Sequence, residues 1–154
     1  MKTGKKYSLL SLSTLLFLGT TSFHFSNSEN VTSNIDLTVS VSNIRLEQKG
    51  NLRIGIFKKE GFPTASKAIY GKIIAVDKSK MEVNFTDIEP NTYGIAVVQD
   101  QDKNGKLSTN LVGIPTEPYG FSNNKFGTFG PPDFNEISFK LETGKQKSLS
   151  IILK

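Results

Sequence analysis

Oxygen-bearing side chains stand at alternate positions of a turn signal near residue 100. Asp100, Asp102 and Asn104 occupy positions 1, 3 and 5 of a DxDxNG pattern, and Gly105 follows at position 6. Alternate residues of a tight turn direct their side chains into one concavity, and calcium is held by several oxygens at about 2.3–2.6 Å. The pattern therefore predicts a Ca²⁺ site. The alternative interpretation is an ordinary Asn-Gly turn with solvated acids.

The ligand set is incomplete by comparison with a twelve-residue calcium loop. Position 12 is Leu111 where a bidentate Glu is usual, and Ser108 at position 9 is a weak ligand. We expect the missing oxygens to come from the carbonyl of Lys106 and from the side chains of Asn110 and Glu117. Glu117 lies between two prolines in GIPTEP, so its backbone is restricted. An incomplete set predicts weak binding, with a Kd of about 10⁻⁴–10⁻³ M.

Seven short runs of alternating apolar and polar residues predict the strands that must position this turn. They lie at 35–42, 52–56, 68–76, 81–85, 93–98, 137–141 and 149–153. The run at 93–98 is apolar on both faces, which is typical of a central strand. Helical periodicity is absent over any useful length. The pattern predicts an all-β domain, a single antiparallel β-sandwich of immunoglobulin-like or transthyretin-like type, with a closed barrel as the alternative.

The N-terminal residues have the order of a secretory signal peptide. Lys2, Lys5 and Lys6 precede an apolar run at 9–19, and small polar residues follow. We therefore expect a signal peptide at 1–28, with no clean cleavage motif, a linker at 29–34 and the sandwich domain at 35–154. The alternative is an uncleaved anchor. The expected location is the periplasm, the cell surface or the medium, with no stable membrane span after cleavage.

Charge and residue types exclude several classes of site. The formal net charge of +5 falls to +2 without the signal region, because 16 basic residues then face 14 acidic ones, so nucleic-acid binding is not expected. The chain has no cysteine, and its only histidine is His24. The domain therefore lacks the residues for Ser-His-Asp, Cys-His or ordinary zinc chemistry. Acids on a solvated turn also lack the raised pKa of a glycosidase, so we expect no enzyme.

A long loop rich in Gly, Pro and aromatic residues follows the turn, over 111–134. Loops of this length are usually functional or internally packed. Aromatic faces suit sugar rings, and amides bond hydroxyl groups, which predicts a binding platform. Its candidate ligand-binding residues are Tyr119, Phe121, Asn123, Asn124, Phe126 and Phe129. The alternative is that these rings cover one end of the sandwich.

The segments DQDKNGKL (100–107), GIPTEPYGFSNN (113–124) and FGPPDF (129–134) resemble those of a family of small exported bacterial proteins known only as a domain of unknown function. The resemblance covers most of residues 35–154. The members are mostly exported proteins of Gram-negative bacteria, so the resemblance implies the periplasm, the outer surface or secretion, but it carries no activity. Members often have Asp where this chain has Ser108, so an acidic group that would serve a site is replaced here.

These observations lead to three hypotheses of function. The first is an exported, non-enzymatic binding or adhesion-type module for a glycan or an envelope protein, with calcium rigidifying the long loop. The second is a structural accessory domain of the bacterial envelope without a ligand. The third and weakest is a carbohydrate-active enzyme.

Overall fold

Alternating apolar residues form strands throughout residues 35–154, the part of the chain that the computed structural model describes. The predicted signal peptide (1–28) and linker (29–34) lie outside the described residues. The strands are β1 (Ile35–Ser42), β2 (Asn51–Phe57), β3 (Tyr70–Ala75), β4 (Lys80–Ile88), β5 (Asn91–Asp100), β6 (Tyr119–Phe121), β7 (Phe139–Leu141) and β8 (Lys147–Ile152). One short helix, α1 (Phe134–Ile137), and three 3₁₀ turns at Leu46–Gln48, Ala65–Lys67 and Ser122–Asn124 complete the elements.

The strands form two sheets, which confirms the predicted all-β sandwich. The first sheet has the order β4-β1-β8, and the second has the order β3-β2-β5-β6, with β7 also paired to β5. All strand pairs are antiparallel except β1 with β8. Seven strands were predicted, and the eighth, β6, lies within the segment interpreted as a long loop. Over residues 35–154, no helix is long and apolar enough to cross a membrane.

The core lies between the two sheets and follows from the period-two alternation. Leu37, Val39 and Val41 of β1 are fully buried, as are Ile56 of β2 and Ile95 of β5. Full burial of such a side chain stabilises the fold by about 1.5–3 kcal/mol. This apolar layer fixes which residues of β5 face outward, because the neighbours of each buried residue must point the other way.

β5 is the central strand of the second sheet, and a buried tyrosine fixes its start. Tyr93 is fully buried, and its hydroxyl donates to the carbonyl oxygen of Glu89 at 3.1 Å. A tyrosine that bonds back to the chain a few residues upstream is a feature of Greek-key sandwiches. Burial raises the pKa of Tyr93 above its ordinary value.

β6 and β7 lie along the same edge of β5, and the hydroxyl of Ser122 bridges the gap between them. β6 pairs with 96–98 and β7 pairs with 91–93. Between these ladders, the Ser122 hydroxyl accepts from the amide of Ile95 at 2.9 Å and donates to the carbonyl of Ile137. This bridge satisfies a buried backbone donor and holds β6 in the register that determines the site below.

Candidate metal centre and adjoining loop

The pairing of β5 with β6 brings two distant carboxylates together. Val98 lies opposite Tyr119, and the amide of Gln99 donates to the carbonyl of Pro118 at 2.8 Å, which continues the ladder. One further step along this antiparallel register places Asp100 opposite Glu117. Like charges directly opposite each other on neighbouring strands are destabilising. A positive charge beside this cross-strand acid pair would offset the repulsion.

Asp102 joins these two residues to form an acidic cluster, which we define as Asp100, Asp102 and Glu117. One carboxylate oxygen from each residue lies within 4.8 Å of the others. Oxygens that each lie about 2.3–2.6 Å from one cation are at most about 5 Å apart, so this spacing fits calcium. Asp100 and Glu117 are buried, whereas Asp102 is exposed.

The Asp100 carboxylate is only partly satisfied by the protein. Its Oδ2 accepts from the amide of Gly105 at 3.0 Å, and the Arg53 guanidinium approaches Oδ2 at 3.7 Å. Its Oδ1 is buried and has no hydrogen-bond partner, and the side chain is 1% exposed. A buried charged oxygen without a donor is costly and rare in folded proteins. Asp100 Oδ1 is therefore the atom of the cluster that a bound cation would satisfy.

The Glu117 carboxylate ties the turn together. Its Oε1 accepts from the amide of Gln101 at 2.7 Å and, more weakly, from that of Asp102 at 3.5 Å. Its Oε2 accepts from the amide of Ser108 at 2.9 Å. Glu117 is 5% exposed, so these bonds form largely away from water. The residue therefore reaches back to the DxDxNG turn and holds its backbone.

The exposed edge of the cluster is a network of short polar side chains. Asp102 Oδ1 accepts from the amide of Asn104 at 3.0 Å, and its Oδ2 accepts from Asn104 Nδ2 at 2.7 Å and from the Ser108 hydroxyl at 3.0 Å. The backbone N–H of Asn104 and, more weakly, the Ser108 hydroxyl hold the pKa of Asp102 below its ordinary value. Asp102 is thus kept ionised, which is the form that binds a cation.

Two of the predicted metal ligands, Asn110 and Asn104, use their side-chain oxygens to bond the backbone of their own turns. The amide oxygen of Asn110 accepts from the amides of Val112 and Ile114, at 3.1 and 2.9 Å, and so closes its own turn. The amide of Lys106 donates to Asn104 Oδ1 at 2.7 Å. The three carboxylates therefore form the group that the fold brings together, with Asn104 and Ser108 around its rim.

Charge balance within the cluster is poor. Three acids meet here, and among residues 35–154 the only salt bridge to any of them is that of Arg53 with Asp100. The Arg53 side chain is 32% exposed, which weakens that interaction through solvent screening. Arg53 had no signal in the sequence, because it lies 47 positions before Asp100 and is brought near by the β2–β5 pairing.

The predicted aromatic platform divides into a packed part and an exposed part. Tyr119, Phe121 and Phe126 contact one another edge to face, with ring centroids 5.6–6.2 Å apart. Phe121 is buried, and the other two are partly buried. Phe129 is 102% exposed. The first three rings therefore pack together on the outer face of the second sheet, since Tyr119 and Phe121 lie opposite Val98 and Ala96, and Phe129 is the ring that stands free.

The two asparagines of the predicted platform bond the backbone. Asn123 Nδ2 donates to the carbonyls of Glu136 and Ser138, both at 3.0 Å. Asn124 Nδ2 donates to the carbonyl of Ser150 at 3.2 Å, and its Oδ1 accepts from the amide of Ile152 at 2.8 Å. Both residues adopt positive φ angles, of 60° and 52°. These amides fasten the 3₁₀ turn after β6 to the edge of β8 and to the end of α1.

The fold and the site define a class of protein: a small β-sandwich that carries an acidic cluster at the end of its central strand. The chain matches, over residues 39–149, the model of a bacterial family described as "Uncharacterized protein conserved in bacteria (DUF2141)". The chain belongs to this family, which confirms the family resemblance noted in the sequence. The matched region includes the whole acidic cluster. Neither the curated proteins nor the solved structures contain a significant match to this chain.

Proposed function

We propose that this protein is an exported, non-enzymatic binding module in which Ca²⁺ at the acidic cluster orders the segment 100–117. The observation that carries the proposal is the buried Oδ1 of Asp100, which has no partner although two further carboxylates lie within 4.8 Å. A divalent cation supplies the missing partner and offsets the repulsion between the acids. The basic and apolar order of residues 1–19 supports export.

Calcium at this position connects three parts of the chain. Asp100 ends β5, Asp102 lies in the turn that follows, and Glu117 lies two residues before the start of β6. A cation bound by all three closes the loop at its base, so the residues between them lose freedom that they have without the ion. The weak affinity expected here is the one that calcium sites of extracellular modules have, with a Kd of about 10⁻⁴–10⁻³ M.

The lowered pKa of Asp102 favours ion binding over acid–base catalysis by this residue. A glycosidase requires one carboxyl group with a raised pKa, whereas hydrogen bonds lower the pKa of Asp102. Both carboxylate oxygens of Glu117 accept hydrogen bonds from backbone amides, so this residue is held in place as a structural acceptor. These features support the non-enzymatic proposal.

Thermal unfolding of the purified protein tests the site. With a Kd of about 1 mM, 10 mM CaCl₂ stabilises the fold by about 1.4 kcal/mol, which raises the Tm by roughly 3–6 °C relative to EGTA. Asp102→Asn should abolish this increase, because it removes a negative charge from the calcium site. The side-chain oxygen that remains can still accept from Asn104, so the turn should keep its structure. Asp77→Asn, an exposed acid in the β3–β4 turn, is the matched control and should keep the increase. An identical Tm in calcium and EGTA for the unmodified protein would leave the structural accessory domain as the better hypothesis.

A further inference from the structure

The outer face of the second sheet carries a cleft of about 990 Å³. Its floor is formed by β2, β3, β5 and β6, on the side turned away from the core. Residues 105–115 border it on one side, and residues 127–131 form another border. Small-molecule sites usually measure about 300–1,000 Å³, so the cleft is large enough for an extended ligand.

The cleft exposes an unusual amount of apolar surface. Ile73, Val112 and Ile114 are 59%, 77% and 59% exposed, and Phe129 is 102% exposed. Exposed apolar residues that are grouped in this way mark an interaction surface, whereas isolated ones do not. The floor is also open at Gly71, where an added Cβ would meet no atom closer than 3.6 Å. An apolar chain can therefore lie directly on the sheet.

The charged residues along the cleft are all basic. Arg53, Lys106 and Lys154 line it, and none of its lining residues is acidic. Lys72 also lies along it, but its ammonium group donates to the carbonyl of Asn84 on β4. The cleft thus combines an apolar floor with cations at its border, which is complementary to a ligand with an apolar body and an anionic end.

We propose that this cleft binds a free anionic amphiphile, namely a long-chain carboxylate. The apolar chain would lie over Gly71 and Ile73 towards Val112 and Phe129. The carboxylate would be held by Arg53 and Lys106. Each buried methylene contributes about 0.8 kcal/mol, so chain length drives affinity, and the cations select the charged head group.

The calcium dependence of this binding rests on the proposed function, because the two sites share a segment and a side chain. Gly105 donates to Asp100 and also lines the cleft, and Arg53 approaches Asp100 while lining the cleft. Without calcium, the three acids repel an incoming anion and compete for Arg53. Calcium offsets two of their three negative charges, so it should tighten carboxylate binding, and the carboxylate should tighten calcium binding by the same factor.

Isothermal titration calorimetry with monomeric dodecanoate tests the proposal. Dodecanoate should bind with one-to-one stoichiometry and roughly tenfold more tightly than dodecanol of the same length, because only the former pairs with the cations. Dodecyltrimethylammonium should bind more weakly still. Equal affinity for the three probes, or no heat from dodecanoate, would overturn the proposal. Binding to anionic vesicles without binding of the monomer would also overturn it.

Variants locate the ligand in the cleft. Gly71→Leu fills the open floor and should weaken dodecanoate binding by roughly tenfold or more, whereas Ser148→Leu on the exposed side of β8 should leave it unchanged. Phe129→Ser removes an exposed ring that does not belong to the packed group of Tyr119, Phe121 and Phe126. It should therefore fold, and it serves as the second variant if Gly71→Leu does not. Unchanged binding in both cleft variants refutes the assignment.

Two lysine variants, one in the cleft and one outside it, test the contact with the carboxylate. Lys106→Gln should weaken dodecanoate binding by roughly threefold to tenfold, and Lys103→Gln should not, although both change the charge of the same turn. Titrations in calcium and in EGTA separate the two proposals. Dodecanoate binding that is equal in both media, with no heat from calcium alone, would refute the calcium site and leave the cleft assignment standing. Calcium binding without dodecanoate binding would refute the cleft assignment and leave the calcium site standing.

Discussion

The carboxylate of Glu117 lies 2.7 Å from the backbone nitrogen of Gln101, although the two residues are 16 positions apart in the chain. This bond and the bond to Ser108 close the loop at its base. Because Glu117 also lies beside Asp100, it has two opposing effects on stability. Its hydrogen bonds stabilise the turn, and its charge repels a neighbouring acid.

Replacing Glu117 by Gln separates these effects. In 10 mM CaCl₂, Glu117→Gln should lower the free energy of unfolding by about 2–3 kcal/mol, because it loses charge-assisted bonds and a calcium ligand. In EGTA the loss should be smaller, since relief of the repulsion with Asp100 compensates for part of it. Urea unfolding in both media gives the two values. Glu82→Gln, at an exposed position of β4, is the control, and an equal loss in both media would argue against a shared ion site.

Ser108→Asp adds an acid next to Asp102. The Ser108 hydroxyl lies 3.0 Å from Asp102 Oδ2, so an aspartate here meets the rim of the cluster. Calcium affinity should rise by roughly tenfold, and the Tm in EGTA should fall because a fourth acid increases repulsion. Calcium titration calorimetry and melting curves measure the two changes. Ser148→Asp, on the exposed side of β8, should alter neither, and unchanged calcium affinity in Ser108→Asp would contradict the site.

Acid should remove the contribution of Asp102. Its pKa is lower in the folded protein than its usual value of 3.8, because the N–H of Asn104 stabilises the charged form. The stability that follows is present above that usual value and is lost as the pH falls through the lower folded pKa. Melting curves in EGTA between pH 2 and 7 should therefore show a steeper acid decline for the unmodified protein than for Asp102→Asn. Parallel declines in the two proteins would be inconsistent with this assignment.

Tyr93→Phe should destabilise the sandwich without affecting the ion site. The phenol is fully buried, and its removal leaves the Glu89 carbonyl without that donor, at a cost of about 1–2 kcal/mol. Tyr93 and the acidic cluster lie at opposite ends of β5, so the Tm increase in calcium should be the same as in the unmodified protein. Chemical unfolding with and without calcium measures both quantities. Loss of the calcium response would show that the variant alters more than the packing around Tyr93.

Strand positions were predictable where one face is buried and the other is solvated. The alternation of Leu37, Val39 and Val41 gave β1 its correct bounds, because each of these side chains is fully buried. β6 was missed, since three residues with Gly in the middle carry no usable alternation. Its existence depends on pairing with β5 and on the Ser122 bridge, which are contacts that no local pattern encodes.

The candidate site was predictable only where its residues are close in sequence or where a neighbouring proline restricts the backbone. Asp100, Asp102 and Asn104 are close in sequence, so a turn brings them together whatever the rest of the chain does. Glu117 was predicted because the prolines beside it restrict its backbone. Arg53 and the cleft over Gly71 were not predictable, since each depends on which strands are neighbours.

The sequence by itself therefore determined the strands of the sandwich other than β6, the Asp-rich turn and the lack of histidine and cysteine in the domain, because these follow from residue type and local spacing. Only the tertiary structure decided that Asp100 loses contact with water, that Glu117 lies opposite it, and that a basic, apolar cleft borders the same segment. The physical reason is that burial and charge neighbours depend on sheet order and register. Strands distant in sequence set both, as when β5 pairs with β2 on one edge and with β6 on the other.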